Sequence, residues 1–155
     1  MENTLSSPNV TFHCNGDGMF KTLLVEDNSA FRELYKSTLR DHFPSMEIAE
    51  AVDGVEAMNA IAASLPDLIF MDIKLPGENG LQLTKKIKKD HPEIIVAVLT
   101  SYDFPEYREA AVKNGADYFL VKGLETSEEV LTLVEKIFSK KGCKPGGSQE
   151  KPPKS

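Results

Sequence analysis

A doubly wound α/β sandwich around a five-stranded parallel sheet is the fold this sequence predicts. Three observations carry it. Short apolar runs alternate five times with segments of helical period, the later runs are apolar almost without interruption, and the chemically active side chains fall just beyond the runs.

The strands are expected at 21–25, 46–51, 67–71, 94–99 and 117–121. Runs such as 68–71 and 94–99 show no alternation, as expected of strands covered on both faces by helices. Helices follow from apolar residues at helical spacing: Phe31, Leu34, Tyr35 and Thr38; Val55, Met58, Ile61 and Ala62; Leu83 and Ile87; Tyr107, Ala110 and Ala111; Val130, Leu131, Val134, Ile137 and Phe138. Asn114 and Gly115 should close the fourth helix, and Thr126 with Glu129 forms a capping box opening the fifth. With right-handed crossovers, five such units most simply make a three-layer sandwich in the 2-1-3-4-5 order of the flavodoxin-like class. Ligands of such sheets bind beyond the carboxyl ends of the strands.

The 155 residues suit one domain, at 41% hydrophobic and 27% charged. No apolar run approaches the ~20 residues of a membrane helix, and the first residues lack a secretory pattern, so the expected location is the cytoplasm. Cys14 and Cys143 have no partner at metal-ligand spacing, which argues against zinc and against a structural disulfide. The net charge of -6 is uneven: from residue 140 onward five lysines stand against Glu150, leaving -10 on residues 1–139. An acidic body repels a phosphate backbone, so direct nucleic-acid binding by this chain is not expected. The Lys-, Pro-, Gly- and Ser-rich end reads as a disordered basic tail.

Chemistry clusters where the fold requires it. The first strand runs into Glu26 and Asp27, the third into Asp72, the fourth into Thr100, and the fifth into Lys122. Three carboxylates in one crevice repel one another unless a cation compensates them. Oxygen-only ligands with no nearby His or Cys favour a hard ion such as Mg²⁺. Lys122 offers a compact positive charge and Thr100 a hydroxyl, which together complete a pocket for a phosphoryl group. Asp72, at the end of the central strand, is then the nucleophile that would form an acyl phosphate.

Over roughly residues 20 to 140 the chain resembles the response-regulator receiver domain of two-component signalling, a CheY-like domain. The resemblance rests on Val25-Glu26-Asp27, Asp53-Gly54, the stretch from Pro66 through Asp72 to Pro76, Gly80-Leu81, Leu99-Thr100-Ser101, and the stretch from Gly115 through Phe119 to Lys122. It implies that Asp72 takes phosphate from the phosphohistidine of a sensor histidine kinase or a phosphotransfer protein. It implies that Glu26, Asp27, Asp72 and the backbone carbonyl of Lys74 bind magnesium, directly or through water. Thr100 and Phe119 then occupy the two switch positions, and the switched domain binds a downstream protein as a monomer or a phosphorylation-dependent dimer. Catalysis would be limited to the domain's own phosphorylation and slow dephosphorylation. The domain boundaries that follow are a flexible N-terminal arm at 1–19, the receiver domain at 20–140 and the tail at 141–155.

Two departures from the family pattern matter. Lys122 is followed by Gly123 where relatives often have a cis proline; a cis bond without proline costs ~2.5–4 kcal/mol, so a trans bond or a glycine turn is expected. Lys74 and Tyr102 stand where similar domains control water access to the acyl phosphate, and their bulk is expected to prolong it. Lys85, Lys86, Lys88 and Lys89 form a basic face on the third helix, read as solvated surface. The alternative function is the receiver part of a truncated DNA-binding transcriptional regulator, since too few residues follow Lys141 for a helix-turn-helix module. A flavin site is opposed by Glu26-Asp27 in place of a glycine-rich phosphate loop, and an aspartyl-phosphate hydrolase by Lys74 where a second acid is wanted. A degenerate receiver is disfavoured because every acceptor part is present.

Overall fold

The structure is a computed structural model that describes residues 11–13, 20–124, 126–141 and 144–146, with side chains for 20–124 and 126–141. In chain order the elements are β1 (Thr11–His13), β2 (Lys21–Val25), α1 (Ser29–His42), β3 (Glu47–Ala51), α2 (Gly54–Ala63), β4 (Leu68–Asp72), α3 (Gly80–Asp90), β5 (Ile95–Thr100), α4 (Pro105–Lys113), β6 (Tyr118–Val121), α5 (Ser127–Lys140) and β7 (Lys144–Gly146). Strands β2 to β6 form one parallel sheet in the order β3-β2-β4-β5-β6. Counted within that sheet, this is the expected 2-1-3-4-5 order.

Strand β4 is buried at all five positions because apolar layers cover both of its faces. One layer packs Leu24, Phe70 and Leu99 of the sheet against Leu39 of α1 and Val134, Ile137 and Phe138 of α5. The other packs Leu23, Ile69, Met71 and Val98 against Ala57 and Ile61 of α2, Leu83 and Ile87 of α3, and Ala111 of α4. At ~25 cal/mol per Å² of apolar surface removed from water, these two layers supply the main drive for folding.

Caps fix where the helices start. Asn28, Asp53 and Asn79 each accept a backbone N–H from three residues on, and Thr126 and Glu129 complete the reciprocal capping box of α5. Asn114 and Gly115 close α4, with Gly115 at φ +99°. The described residues contain no cis peptide bond; the turn after Lys122 is made instead by Gly123 at φ +88°. That is the glycine solution the sequence predicts.

Two helical faces sit differently from expectation. Leu34 and Val55, read as core positions, are 56% and 71% exposed, and Ala62 is exposed as well. In α1 the inward stripe is Phe31, Tyr35 and Leu39, spaced at four residues, and Leu34 falls on its margin. In α2 it is Gly54, Ala57 and Ile61. Gly54 is on that stripe because a Cβ there would meet the Leu83 side chain at 3.1 Å.

Strands β1 and β7 pair antiparallel with each other, Thr11 opposite Gly146 and His13 opposite Lys144. The expected flexible arm and disordered tail thus contain a paired segment of three residues each. The rest of 1–19, and 142, 143 and 147–155, including Cys14 and Cys143, lie outside the described residues. Among the described residues no helix is long and apolar enough to cross a membrane.

Candidate functional site

The parallel register brings the carboxyl ends of β2, β4, β5 and β6 to one edge, and that edge carries the site. Asp72 is the last residue of β4, the sheet's central strand, and is only 6% exposed. Glu26 and Asp27 follow β2 directly, the first buried and the second exposed. Carboxylate oxygens of Glu26, Asp27 and Asp72 all lie within 4.8 Å of one another. Lys122, just past β6, places Nζ 2.6 Å from Glu26 Oε1 and 3.4 Å from Asp72 Oδ2. Its backbone is pinned there by an N–H donated to the Thr100 carbonyl at 2.7 Å.

One lysine paired with two of the three acids leaves the cluster short of positive charge. Burial first and the neighbouring Glu26 second raise the Asp72 carboxyl, against the opposing pull of Lys122, to about 7. Glu26 Oε1 is buried with Lys122 as its ionic neighbour but without a hydrogen bond of good geometry, while Oε2 accepts the Asn28 N–H at 3.0 Å. A buried carboxylate oxygen without a well-formed hydrogen bond and a carboxylate that holds its proton to neutrality both mark a place where a cation would be stabilised. Three carboxylates within a single ion's reach therefore fit a hard divalent metal.

Thr100 ends β5 and is fully buried; its Oγ1 accepts the Tyr102 N–H at 3.1 Å, which leaves the hydroxyl proton to be donated elsewhere. Phe119 stands apart from the acids. It is half-buried against the second apolar layer, and the Arg108 guanidinium lies 4.6 Å from its ring centre. Arg108 is itself held by Asp103 Oδ1, 3.0 Å from Nε. The Lys74 side chain lies against aromatic rings, with Nζ 5.3 Å from the Tyr102 ring centre and 5.8 Å from that of Tyr107.

Three residues that sequence reasoning did not assign to the site support it. Arg32 donates to the Glu26 carbonyl at 2.7 Å while its Nε pairs with Glu50 Oε1 at 2.8 Å, so it fixes the backbone from which Glu26 projects. Phe31 offers its ring face to Lys122 Nζ at 4.5 Å. Gly80 opens α3 against the end of β4, where a Cβ would stand 1.9 Å from the Asp72 carbonyl oxygen. Only Gly80 carried a signal, as part of a Gly-Leu pair opening a helical pattern; the contacts of Arg32 and Phe31 join distant parts of the chain.

The family model of the response regulator receiver domain matches residues 22–135, which takes in every residue of this cluster. The chain belongs to that family. The receiver is 31% identical over 119 residues to the oxygen regulatory protein NreC of Staphylococcus haemolyticus, a match covering 76% of this chain and 54% of the relative. It thus spans about half the length of the curated relatives it matches. A DNA-binding response regulator of the LuxR family from Staphylococcus aureus superposes with a TM-score of 0.70 at 29% identity, over 76% of this chain and 98% of that one. The receiver domain of NtrX from Brucella abortus does so with a TM-score of 0.69 at 31% identity, over 76% and 98%. This chain is accordingly a receiver domain of the two-component response regulators, and its acidic cluster is placed to hold a metal ion.

Proposed function

We propose that Asp72 is the phosphoryl acceptor of this receiver and that Glu26, Asp27, Asp72 and the backbone carbonyl of Lys74 hold a magnesium ion for the reaction. The observation that carries this reading is the convergence of three carboxylates and the Lys122 ammonium at the end of the central strand. An Asp72 oxygen attacks the phosphorus of a donor phosphohistidine in line, the imidazole leaves, and an acyl phosphate is formed. Lys122 sits where its ammonium can pass from Asp72 to a phosphoryl oxygen, and Thr100 has a hydroxyl proton to donate to another. Bound at this site, the metal supplies the remaining positive charge for the phosphoryl oxygens.

The donor in this reading is a sensor histidine kinase or a phosphotransfer protein, and the receptor of the signal is a downstream protein. The absence of a membrane-spanning helix among the described residues agrees with a cytoplasmic setting. The receiver acts on no substrate but itself, through its own phosphorylation and slow dephosphorylation. Thr100 and Phe119 are the switch pair in the same reading, with the ring of Phe119 moving from beneath Arg108 as Thr100 turns toward the phosphoryl group. A second reading, the receiver of a DNA-binding regulator, is favoured by the match to about half of each curated relative. It predicts a DNA-binding module encoded next to this segment.

Incubation with Mg²⁺ and a small acyl phosphate or phosphoramidate tests the chemistry by intact mass. One phosphoryl increment that needs both the metal and Asp72 is expected. An increment of equal size in Asp72→Asn, or none in the wild type at saturating donor, overturns the proposal.

A further inference from the structure

We infer that Arg32 is a positioning residue for the candidate metal centre, holding the peptide between Glu26 and Asp27 so that both carboxylates meet one divalent ion, and that Glu50 anchors Arg32 in that task. The inference rests on the metal-binding reading above and concerns what sets the affinity of that site from outside the acidic cluster.

Adjacent carboxylates do not converge by default. In a continuing strand successive side chains point to opposite faces, which would send Glu26 and Asp27 to opposite sides of the sheet. Their oxygens instead lie within 4.8 Å of each other and of Asp72. Strand β2 ends at Val25 and the chain bends at Asp27, and this departure from the strand lets the two side chains meet. The orientation of the Glu26–Asp27 peptide therefore decides whether the pair can share an ion.

That orientation is set from strand β3. The Glu26 N–H donates to the Ala51 carbonyl at 2.9 Å. The Glu26 carbonyl, which belongs to the peptide shared with Asp27, accepts from Arg32 Nη1 at 2.7 Å. Arg32 Nε donates to Glu50 Oε1 at 2.8 Å, and Lys36 Nζ donates to Glu50 Oε2 at 2.9 Å. Two consecutive residues of β3 thus hold Glu26 on both sides, Ala51 directly and Glu50 through the guanidinium. The donors of a guanidinium are fixed in one plane, so anchoring one N–H aims another. Lys36, and after it Arg32, keep the Glu50 carboxyl below the ordinary carboxylate value against the effect of burial, so the anchor stays ionised. The Arg32 and Glu50 side chains are 16% and 30% exposed, against 49% and 44% for the surface pair Arg108 and Asp103, so water screens the first pair less.

Electrostatics alone predicts the opposite of this role. Arg32 is a positive charge beside the place of a cation, and deleting it removes a repulsion and should tighten metal binding. Deleting a group that aligns the ligands weakens it. The sign of the change separates the two.

Mg²⁺ is titrated into the full chain by calorimetry at fixed pH and ionic strength, for the wild type, Arg32→Met, Glu50→Gln, the double variant and Asp72→Asn. Methionine keeps much of the packing of the arginine stem and removes its donors. Arg32→Met should bind Mg²⁺ at least ~10-fold more weakly than the wild type, the scale on which residues that orient metal ligands act. Glu50→Gln should weaken binding in the same direction by ~3-fold or more, and carries the test where Arg32→Met does not fold. Because Glu50 acts through Arg32, adding Glu50→Gln to Arg32→Met should weaken binding by less than ~2-fold further. The Mg²⁺ concentration that half-saturates phosphorylation by a small donor should rise in step. A role confined to stability would shift the urea unfolding curve and leave the binding constant of the folded protein unmoved. Either single variant, folded, that binds Mg²⁺ as tightly as the wild type or more tightly overturns the inference and leaves the metal-binding reading standing. Mg²⁺ that fails to bind the wild type, or binds Asp72→Asn equally well, overturns that reading and the inference with it.

Discussion

In the proposed role of Asp72 as acceptor, the backbone around it must be held closer to its neighbours than most residues permit. Gly80 is the position that permits it, since its N–H donates to the Ile73 carbonyl at 2.9 Å while its Cα faces the Asp72 carbonyl. A methyl group there would overlap a backbone oxygen, which cannot swing aside as a side chain could. Gly80→Ala is expected to cost ~3 kcal/mol or more and to lower phosphorylation of whatever protein remains folded, measured by urea unfolding and intact mass. Lys74 and Tyr102 make a second residue-scale case. The lysine lies over the aromatic pair Tyr102 and Tyr107, so each side chain holds the other beside the strand end. If together they screen the phosphorus from water, a Lys74→Ala, Tyr102→Ala double variant should lose its acyl phosphate several-fold faster than the wild type. Decay followed by mass at fixed pH would show it, and an unchanged lifetime would remove both residues from that role.

Helix α3 shows what periodicity can and cannot disclose. Its apolar stripe, Leu83 and Ile87, was legible from spacing, as were the strand runs, the Asn114-Gly115 stop and the capping box of α5, because each is written in neighbouring residues. The four lysines of the same helix looked alike in sequence, yet Lys88 differs from the rest. Its Nζ donates to the carbonyls of Pro92 and Ile94 and to Asp117 Oδ2, at 3.1, 2.7 and 2.9 Å, and Asp117 also accepts the Val96 N–H. The lysine thereby joins α3 to the start of β5 and the start of β6, and its stem packs where a Cβ on Gly115 would be crowded at 3.2 Å. A partner as far along the chain as Asp117 leaves no local trace. Lys88→Met should destabilise the domain by ~2 kcal/mol, since three acceptors lose their donor, whereas Lys85→Met and Lys89→Met should change stability by less than ~0.5 kcal/mol. Chemical denaturation of the three variants separates the joining lysine from the solvated ones.

Across the whole molecule, the site was legible because a parallel sheet sends every strand end to one edge, so residues far apart in sequence could be grouped by fold class alone. What grouping could not supply was the balance of charge, which depends on burial and on distances between side chains. That balance has a consequence for stability. The folded protein holds a proton on Asp72 up to about pH 7, while an unfolded aspartate releases it near 3.8. Between those limits the folded state binds more protons than the unfolded one, so without metal this group's contribution to stability falls as pH rises through the window and is lowest above pH 7. Asp72→Asn removes the charge that causes the loss, and is expected to stabilise the metal-free domain by on the order of 2 kcal/mol at pH 8, with little effect at pH 4. A divalent ion competes with that proton, so Mg²⁺ should bind more tightly as pH rises toward 7 and stabilise the wild type most above it. Unfolding curves at pH 5, 6, 7 and 8, with and without Mg²⁺, test both signs together. A wild type that gains stability with pH in the absence of metal, or an Asp72→Asn variant that gains as much from Mg²⁺ as the wild type does, would show that Asp72 is not the residue at which proton, metal and fold are linked.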